Sequence, residues 1–327
     1  MPRVPIAQFR VNMPLRKHPF LLREANLITT RAGSTMLRVI LADRSGTIPG
    51  VQFDVPSHII ELLTPGSGVE VTGRVSEYRD ELQVAIDRIT PVELDDLSEF
   101  LPAARRPIGE MLAEFAALRS SIRQPDLARL LEALFGDAAF LKAFSQAPAA
   151  KTFHHACLGG LLEHTLCVAR LVETACTLYP ELDRDLAITV ALLHDIGKVR
   201  AYNPRTFEMT DEGAVWGHLY MGASQVEHTI ASLEGFDKEL GLRVVHAMLA
   251  HHGKLEHGSP VLPMTLEAIV LHAADQLDGD ARGAIDQFER SQGETGSFTR
   301  HSLMHETRLY RGPQDTSDEQ QLAFWKP

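Results

Sequence analysis

The sequence predicts a multidomain chain, an all-β barrel first and an all-α helical bundle after it. Three observations carry the prediction. Residues 16–90 hold short apolar and β-branched runs bounded by Gly, Pro and Ser, the pattern of strands. From Ile108 to the end, apolar residues recur at helical spacing. The histidines divide in the same way, with thirteen of the fifteen at or after His154. A chain of 327 residues, 44% of them hydrophobic, is long enough to bury two cores.

In the first half, "PFLLREANLITTR" and "TMLRVILADRSG" read as strands, and "TIPGVQFDV" follows the "DRSG" turn as a third. "SHIIELL" reads as a short helix that "TPGSG" breaks. "GVEVTGRVSEY" and "ELQVAIDRI" are the last two strands, joined near Arg79 and Asp80. Three strands, a helix and two strands is the element order of an OB-fold, a small barrel that often binds single strands or oligosaccharides. Its expected bounds are 14–92. Arg38, Arg74, Arg79, Phe53 and Tyr78 are its candidates for stacking bases and contacting phosphates. The competing reading puts the aromatics in the barrel core and leaves the arginines to water.

Residues 93–150 form a polar, Pro-punctuated connector and a helical lead-in, "IGEMLAEFAALRSSI" and "PDLARLLEALFGDAAFLKAFSQAP". The second domain, 151–300, begins with "GGLLEHTLCVARLVETACTLYP", a helix stopped at Pro180. "LDRDLAITVALLHDIGKV" reads as one helix with an acidic start. "DKELGLRVVHAMLAHHG" ends at a glycine, and "MTLEAIVLHAADQLDGDARGAIDQF" is the last long helix. Residues 301–327 are expected to be a tail.

A net charge of −11 disfavours bulk attraction to nucleic acid or to anionic membranes, although a local basic groove or bound cations can offset it. Cys157, Cys167 and Cys176 form no CxxC, which argues against a disulfide framework and for a reducing cytoplasm. No apolar stretch approaches the about 18 residues that span a bilayer, and "MPRVPIAQFR" lacks the apolar core of a signal peptide.

"ALLHDIGK", residues 191–198, puts His194 and Asp195 into an apolar run. Burying them unpaired costs several kcal/mol, and a metal ion is the economical compensation. Imidazole and carboxylate together suit Mn²⁺, Fe²⁺ or Zn²⁺. His164, His218, His251, His252 and Asp275 occur on other segments, with His218 in an expected loop. The competing reading, hydrogen-bonded core residues, suits each alone but not the whole order.

That order, His … His-Asp … His … His … Asp, resembles the HD superfamily. The resemblance implies core ligands at His164, His194, Asp195 and Asp275. It implies second-metal ligands at His218 and at His251 or His252, with Asp195 between the ions. We expect His251 as the ligand and His252 as a phosphate contact. Lys198, four residues after His194 and so on nearly the same helix face, is expected to hold a phosphate oxygen. His155, beside His154 and ahead of a Gly-Gly pair, reads equally as a helix cap or a substrate contact. His272 reads as support for the site or as a substrate contact.

"FHHACLGGLLEHTL", "LLHDIGKV", "GHLYMG", "AHHGKLEHGSP" and "LHAADQLD" carry a closer likeness, over roughly 16–285. They resemble the YhaM-type 3′–5′ exoribonucleases, which also place an OB domain before an HD domain. The resemblance implies a metal-dependent phosphodiesterase in the cytoplasm. Single-stranded RNA, with single-stranded DNA as a further candidate, would be cut from the 3′ end to 5′-mononucleotides. Asp195 and Lys198 would be catalytic. Two divalent ions are implied, Mn²⁺ favoured, with Fe²⁺, Mg²⁺, Co²⁺ and Zn²⁺ open; a homo-oligomer is left open by the sequence. An HD-type nucleotidase or cyclic-nucleotide phosphodiesterase is the first alternative, but a free nucleotide needs no strand platform. A non-catalytic nucleic-acid-binding protein is the second, but it has no use for so many polar groups in one core.

Overall fold

The computed structural model describes residues 3–29, 35–53, 55, 57–79, 81–94, 96–151 and 155–313. Strands β1 (Pro14–Thr29), β2 (Thr35–Asp43) and β3 (Gly46–Phe53) are followed by α1 (Ser57–Ile60), β4 (Gly68–Tyr78) and β5 (Glu81–Val92). They close into a barrel of order β1-β2-β3-β5-β4, as the sequence predicts for an OB-fold. Alternation drives it: Leu37, Val39 and Leu41 point into the core beside Phe20, Leu22, Val71, Val75 and Val84. Closure needs strands that approach tightly at the β4 bulge, where a Cβ on Gly73 would lie 2.2 Å from the Ala85 carbonyl oxygen.

Register decides what the barrel shows to solvent. Asn26 pairs with Arg38, Arg38 with Val51, Val51 with Ala85 and Ala85 with Arg74. Directly paired residues share a face, so these five form one row across the outside of the barrel. Phe53 and Tyr78, each an even number of residues from a row member on its own strand, lie on the same face.

The helical domain contains α2 (Ile108–Ser120), α3 (Pro125–Phe135), α4 (Ala138–Gln146), α5 (Gly160–Leu178) and α6 (Arg184–Leu193). After these come α7 (Lys198–Ala201), α8 (Asp211–Trp216), α9 (His218–Ser232), α10 (Lys238–Ala250) and α11 (Leu266–Arg290). Leu161, Leu162, Leu166, Ile188, Leu192, Val226, Val244 and Leu271 belong to one core that ties these helices together. Side chains of Asp183, Asp237 and Thr265 cap α6, α10 and α11 by accepting N–H groups of the first turn. The domains meet through Leu21 and Ala42 of the barrel, packed with Phe100, Leu101 and Phe207. Among the described residues no helix is long and apolar enough to cross a membrane.

Four local expectations are corrected. The run ending in "HDIGKV" is not one helix: α6 stops at Leu193, residues 194–197 turn, and α7 restarts at Lys198. The turn packs Gly197 closely on α9, where a Cβ would lie 2.1 Å from the His218 carbonyl oxygen and 2.7 Å from the Gly222 nitrogen. His218 itself opens α9 rather than lying in a loop. The stretch "PDLARLLEALFGDAAFLKAFSQ" splits at Gly136, and Asp137 caps the second piece. The chain also leaves helix at its end: β6 (Phe298–Ser302) and β7 (Thr307–Tyr310) pair as a hairpin. Arg311 fastens it by donating to the carbonyls of Ser291, Glu294 and Gly296. The expected tail therefore begins as a strand pair, and its residues 314–327 lie outside the described residues.

Candidate metal centre

Five segments of the helical domain converge. His164 comes from the second turn of α5, His194 and Asp195 from the turn after α6, and His218 from the start of α9. His251 and His252 follow α10, and Asp275 lies on α11. Asp195 is 2% exposed, and His164, His194 and His251 are buried with it.

The two oxygens of Asp195 face different groups. On the Oδ2 side, His164 Nε2 and His194 Nε2 each stand 3.4 Å away. Those two nitrogens are 3.2 Å apart, and Asp275 Oδ1 lies 3.1 Å from His164 Nε2. On the Oδ1 side, His218 Nε2 is at 3.4 Å and His251 Nε2 at 3.6 Å. His218, His251 and His252 offer ligand atoms all within 4.8 Å of one another. Neighbouring ligands of one ion, each at about 2.1 Å from it, are separated by about 3.0–3.4 Å.

The ring tautomers suit the same use. A carbonyl oxygen only accepts, so His194 donates from Nδ1 to Ala191 at 2.8 Å, and His251 from Nδ1 to Met248 at 2.6 Å. His252 donates in the same way to His257 at 2.9 Å. Each ring is thus left with its lone pair on Nε2, the form that binds metal.

The electrostatics of the cluster suit a divalent cation. Burial opposes charge on Asp195, yet Lys198 and His194 hold its carboxyl well below the usual range. Asp275 is also held low against burial, chiefly by His164. Burial pulls His164 down, but Asp195, Asp275 and Asp278 outweigh it and raise this ring well above 6.5. The other set differs: burial, then Lys198, drives His218 well below its usual value. Burial, then His251, brings His252 down to about 4. Asp195 Oδ1, His218 Nε2 and His251 Nε2 make no hydrogen bond among the described residues. Asp195 Oδ2 has Lys198 Nζ as its ion-pair partner at 2.6 Å. Each unpartnered buried group costs about 1–3 kcal/mol, and a divalent cation would satisfy all three. The donor set, imidazole plus carboxylate, fits one.

All six expected ligands are therefore brought together. Three other expectations move. His252 stands among the ligand atoms beside His251, not apart from them. Lys198 follows the turn and pairs with Asp195, three residues back, rather than sharing a helix face with His194. His155, expected as a helix cap or a substrate contact, is 3% exposed, and its two ring nitrogens face Glu163 and Asp278. His154 lies outside the described residues. His272 donates from Nδ1 to the His251 carbonyl at 2.8 Å and so supports the His251–His252 turn. Arg38, Arg74 and Tyr78 lie on the barrel face. Asp278 and Glu163 were not foreseen. The signals were there, since Asp278 is three residues after Asp275 and Glu163 directly precedes His164.

Comparison with known proteins agrees with this architecture. Residues 161–280 match the HD domain family, and residues 23–92 match a family of OB-fold nucleic acid binding domains. The 3′-5′ exoribonuclease YhaM of Halalkalibacterium halodurans is 30% identical over 312 residues, covering 94% of this chain and 96% of that one. Its namesake from Bacillus subtilis is 31% identical over 285 residues, covering 86% and 89%. The Bacillus pumilus protein of the same name is 32% identical over 285 residues, with the same coverage. With the domain order, the ligand set and near full-length similarity in agreement, the chain belongs to the YhaM family of HD-domain 3′–5′ exoribonucleases.

Proposed function

We propose that this chain degrades single-stranded RNA in the cytoplasm from the 3′ end, releasing 5′-mononucleotides, with single-stranded DNA as a second substrate. The observation that carries this is Asp195, whose two oxygens face separate ligand sets. We assign one divalent ion to His164, His194, Asp195 and Asp275, and another to Asp195, His218, His251 and His252. Mn²⁺ is the favoured metal for both. Bound there, the ions supply a nucleophile at neutral pH and neutralise charge growing on the phosphate.

The chain's own residues do the rest. Lys198, now paired with Asp195 at 2.6 Å, would donate to a phosphate oxygen were that carboxylate held by a cation. On the barrel, Arg38 and Arg74 sit three strand spacings apart, about 14 Å, and contact phosphates of the upstream strand. Phe53 and Tyr78 are both 58% exposed and offer ring faces to bases. Residues 14–92 are thus the strand-holding unit, 93–150 the connector and lead-in, and 151–300 the hydrolytic unit. A 5′-labelled oligonucleotide tests the reading: with Mn²⁺ it should shorten one nucleotide at a time from the 3′ end. Internal cuts would overturn the polarity. Turnover of free nucleotides alone would favour the nucleotidase.

A further inference from the structure

Behind His164 runs a row of buried polar groups that metal ligation alone leaves unexplained. His164 Nδ1 stands 2.6 Å from Asp278 Oδ2, and the same oxygen is 3.1 Å from His155 Nε2. His155 Nδ1 in turn lies 3.1 Å from Glu163 Oε2. Asp278 is thus shared between two rings, and His155 bridges Asp278 and Glu163 through its two ring nitrogens. The row reads His164, Asp278, His155, Glu163, and it starts on a ring whose Nε2 faces Asp195 and Asp275. A cation within this row is disfavoured, because 2.6 Å is shorter than the about 3.0 Å between neighbouring ligands of one ion.

The backbone holds His155 in place against its own preference. Its φ is +56°, in the left-handed region that side chains with a Cβ rarely enter. Its carbonyl accepts from Ala149 N at 3.2 Å and from Cys157 N at 2.8 Å. Gly160 passes so close that a Cβ there would lie 1.9 Å from that carbonyl oxygen. Strain of this kind persists where the surroundings over-determine it, and here they aim one ring at two carboxylates.

We propose that Asp278 and His155 are positioning residues for the metal centre. Asp278 fixes the ring of His164 with Nε2 toward the ligand set and makes that nitrogen a better donor. His155, backed by Glu163, holds Asp278 in place. A carboxylate on the far nitrogen of a ligating histidine acts in this way in metal sites generally. The inference rests on the metal reading of the site and not on RNA as the substrate.

Titration of the full-length chain with Mn²⁺ against a chelating dye tests it without any turnover. Asp278→Ala should weaken one class of site about 10–100-fold and leave the class at His218, His251 and His252 near its wild-type affinity. Asp278→Asn, which keeps an acceptor for His164, should recover part of the loss. His155→Asn should show a smaller loss in the same class, since asparagine tolerates the left-handed backbone but cannot reach both carboxylates. In turnover, kcat should fall at limiting Mn²⁺ and return at saturating Mn²⁺, with KM for the oligonucleotide unchanged. Wild-type affinity in a folded Asp278→Ala overturns the proposal. So does equal weakening of both classes, or a kcat that excess metal does not restore. If Asp278→Ala fails to fold, His155→Asn decides by the same criteria. A wild-type chain that binds no Mn²⁺ overturns the metal reading and this one together, whereas metal binding without RNA cleavage overturns only the substrate.

Discussion

Asp195 and Lys198 form a buried ion pair beside the candidate ligands. In the structure the ammonium neutralises the carboxylate at 2.6 Å, and burial is opposed on both sides: Asp195 is held low and Lys198 is raised. Removing one partner of a buried pair leaves the other uncompensated, which costs about 3–5 kcal/mol. Lys198→Ala should therefore destabilise the metal-free chain, and added Mn²⁺ should reverse most of that loss, because the cation takes over Asp195. Its turnover should fall roughly ten- to a thousandfold while metal content is kept, the range for losing one donor to the transition state. Thermal melting with and without Mn²⁺, beside metal analysis, checks both halves. Loss of metal together with rate would make Lys198 structural. Asp195→Ala should behave oppositely, losing metal and nearly all turnover, with melting no longer raised by Mn²⁺. Near-normal turnover in that variant would remove Asp195 from the centre of the site.

At the scale of elements, Gly197 governs where His218 sits. A methyl group there would meet the His218 carbonyl at 2.1 Å and the Gly222 nitrogen at 2.7 Å, both backbone atoms that cannot swing aside. Gly197→Ala should push the start of α9 outward, cost about 1–3 kcal/mol as overpacking does, and weaken the ligand set that contains His218. Wild-type melting and wild-type metal affinity in this variant would show that the two segments are less tightly set than their contact implies. The sequence could not show where this run breaks. "ALLHDIGKV" is compatible with helix throughout, whereas α6 ends at Leu193 and Gly197, four residues on, packs on a distant segment. The barrel was legible because its apolar alternation is local, running through β2 and β4 without help from other segments. The six candidate ligands were legible because polar groups in apolar runs stand out. Where His252 points was less legible, because neighbouring residues on a helix point about 100° apart, while here the helix has already ended at Ala250. The hairpin β6–β7 escaped because strands of five and four residues carry too little alternation to be seen against a helical background.

For the whole molecule, the division of labour between barrel and bundle can be measured by cutting between them. The cut belongs before Asp96, because Phe100 and Leu101 are buried against Phe207, and Ala104 N donates to the Leu158 carbonyl at 2.8 Å. A chain that begins at Asp96 keeps these contacts and every candidate ligand, and uncovers the surface that met Leu21, Ala42, Arg3, Arg23 and Arg44. It should bind Mn²⁺ as the full chain does and cleave a small chromogenic phosphodiester at a similar rate, since that chemistry needs nothing from the barrel. Long single strands should be bound worse, because Arg38, Arg74, Phe53 and Tyr78 are gone with their row. A lost base stack is worth about 1–3 kcal/mol, so two of them weaken binding by more than about tenfold. The deficit should vanish for oligonucleotides too short to reach from the metal centre to the barrel. It should also shrink as salt rises, where phosphate contacts count for less. Binding and turnover measured against substrate length, for both chains and at two salt concentrations, separate these effects. Parallel length curves for the two chains would mean that the barrel face does not hold the strand, and that its exposed arginines and rings meet some other surface.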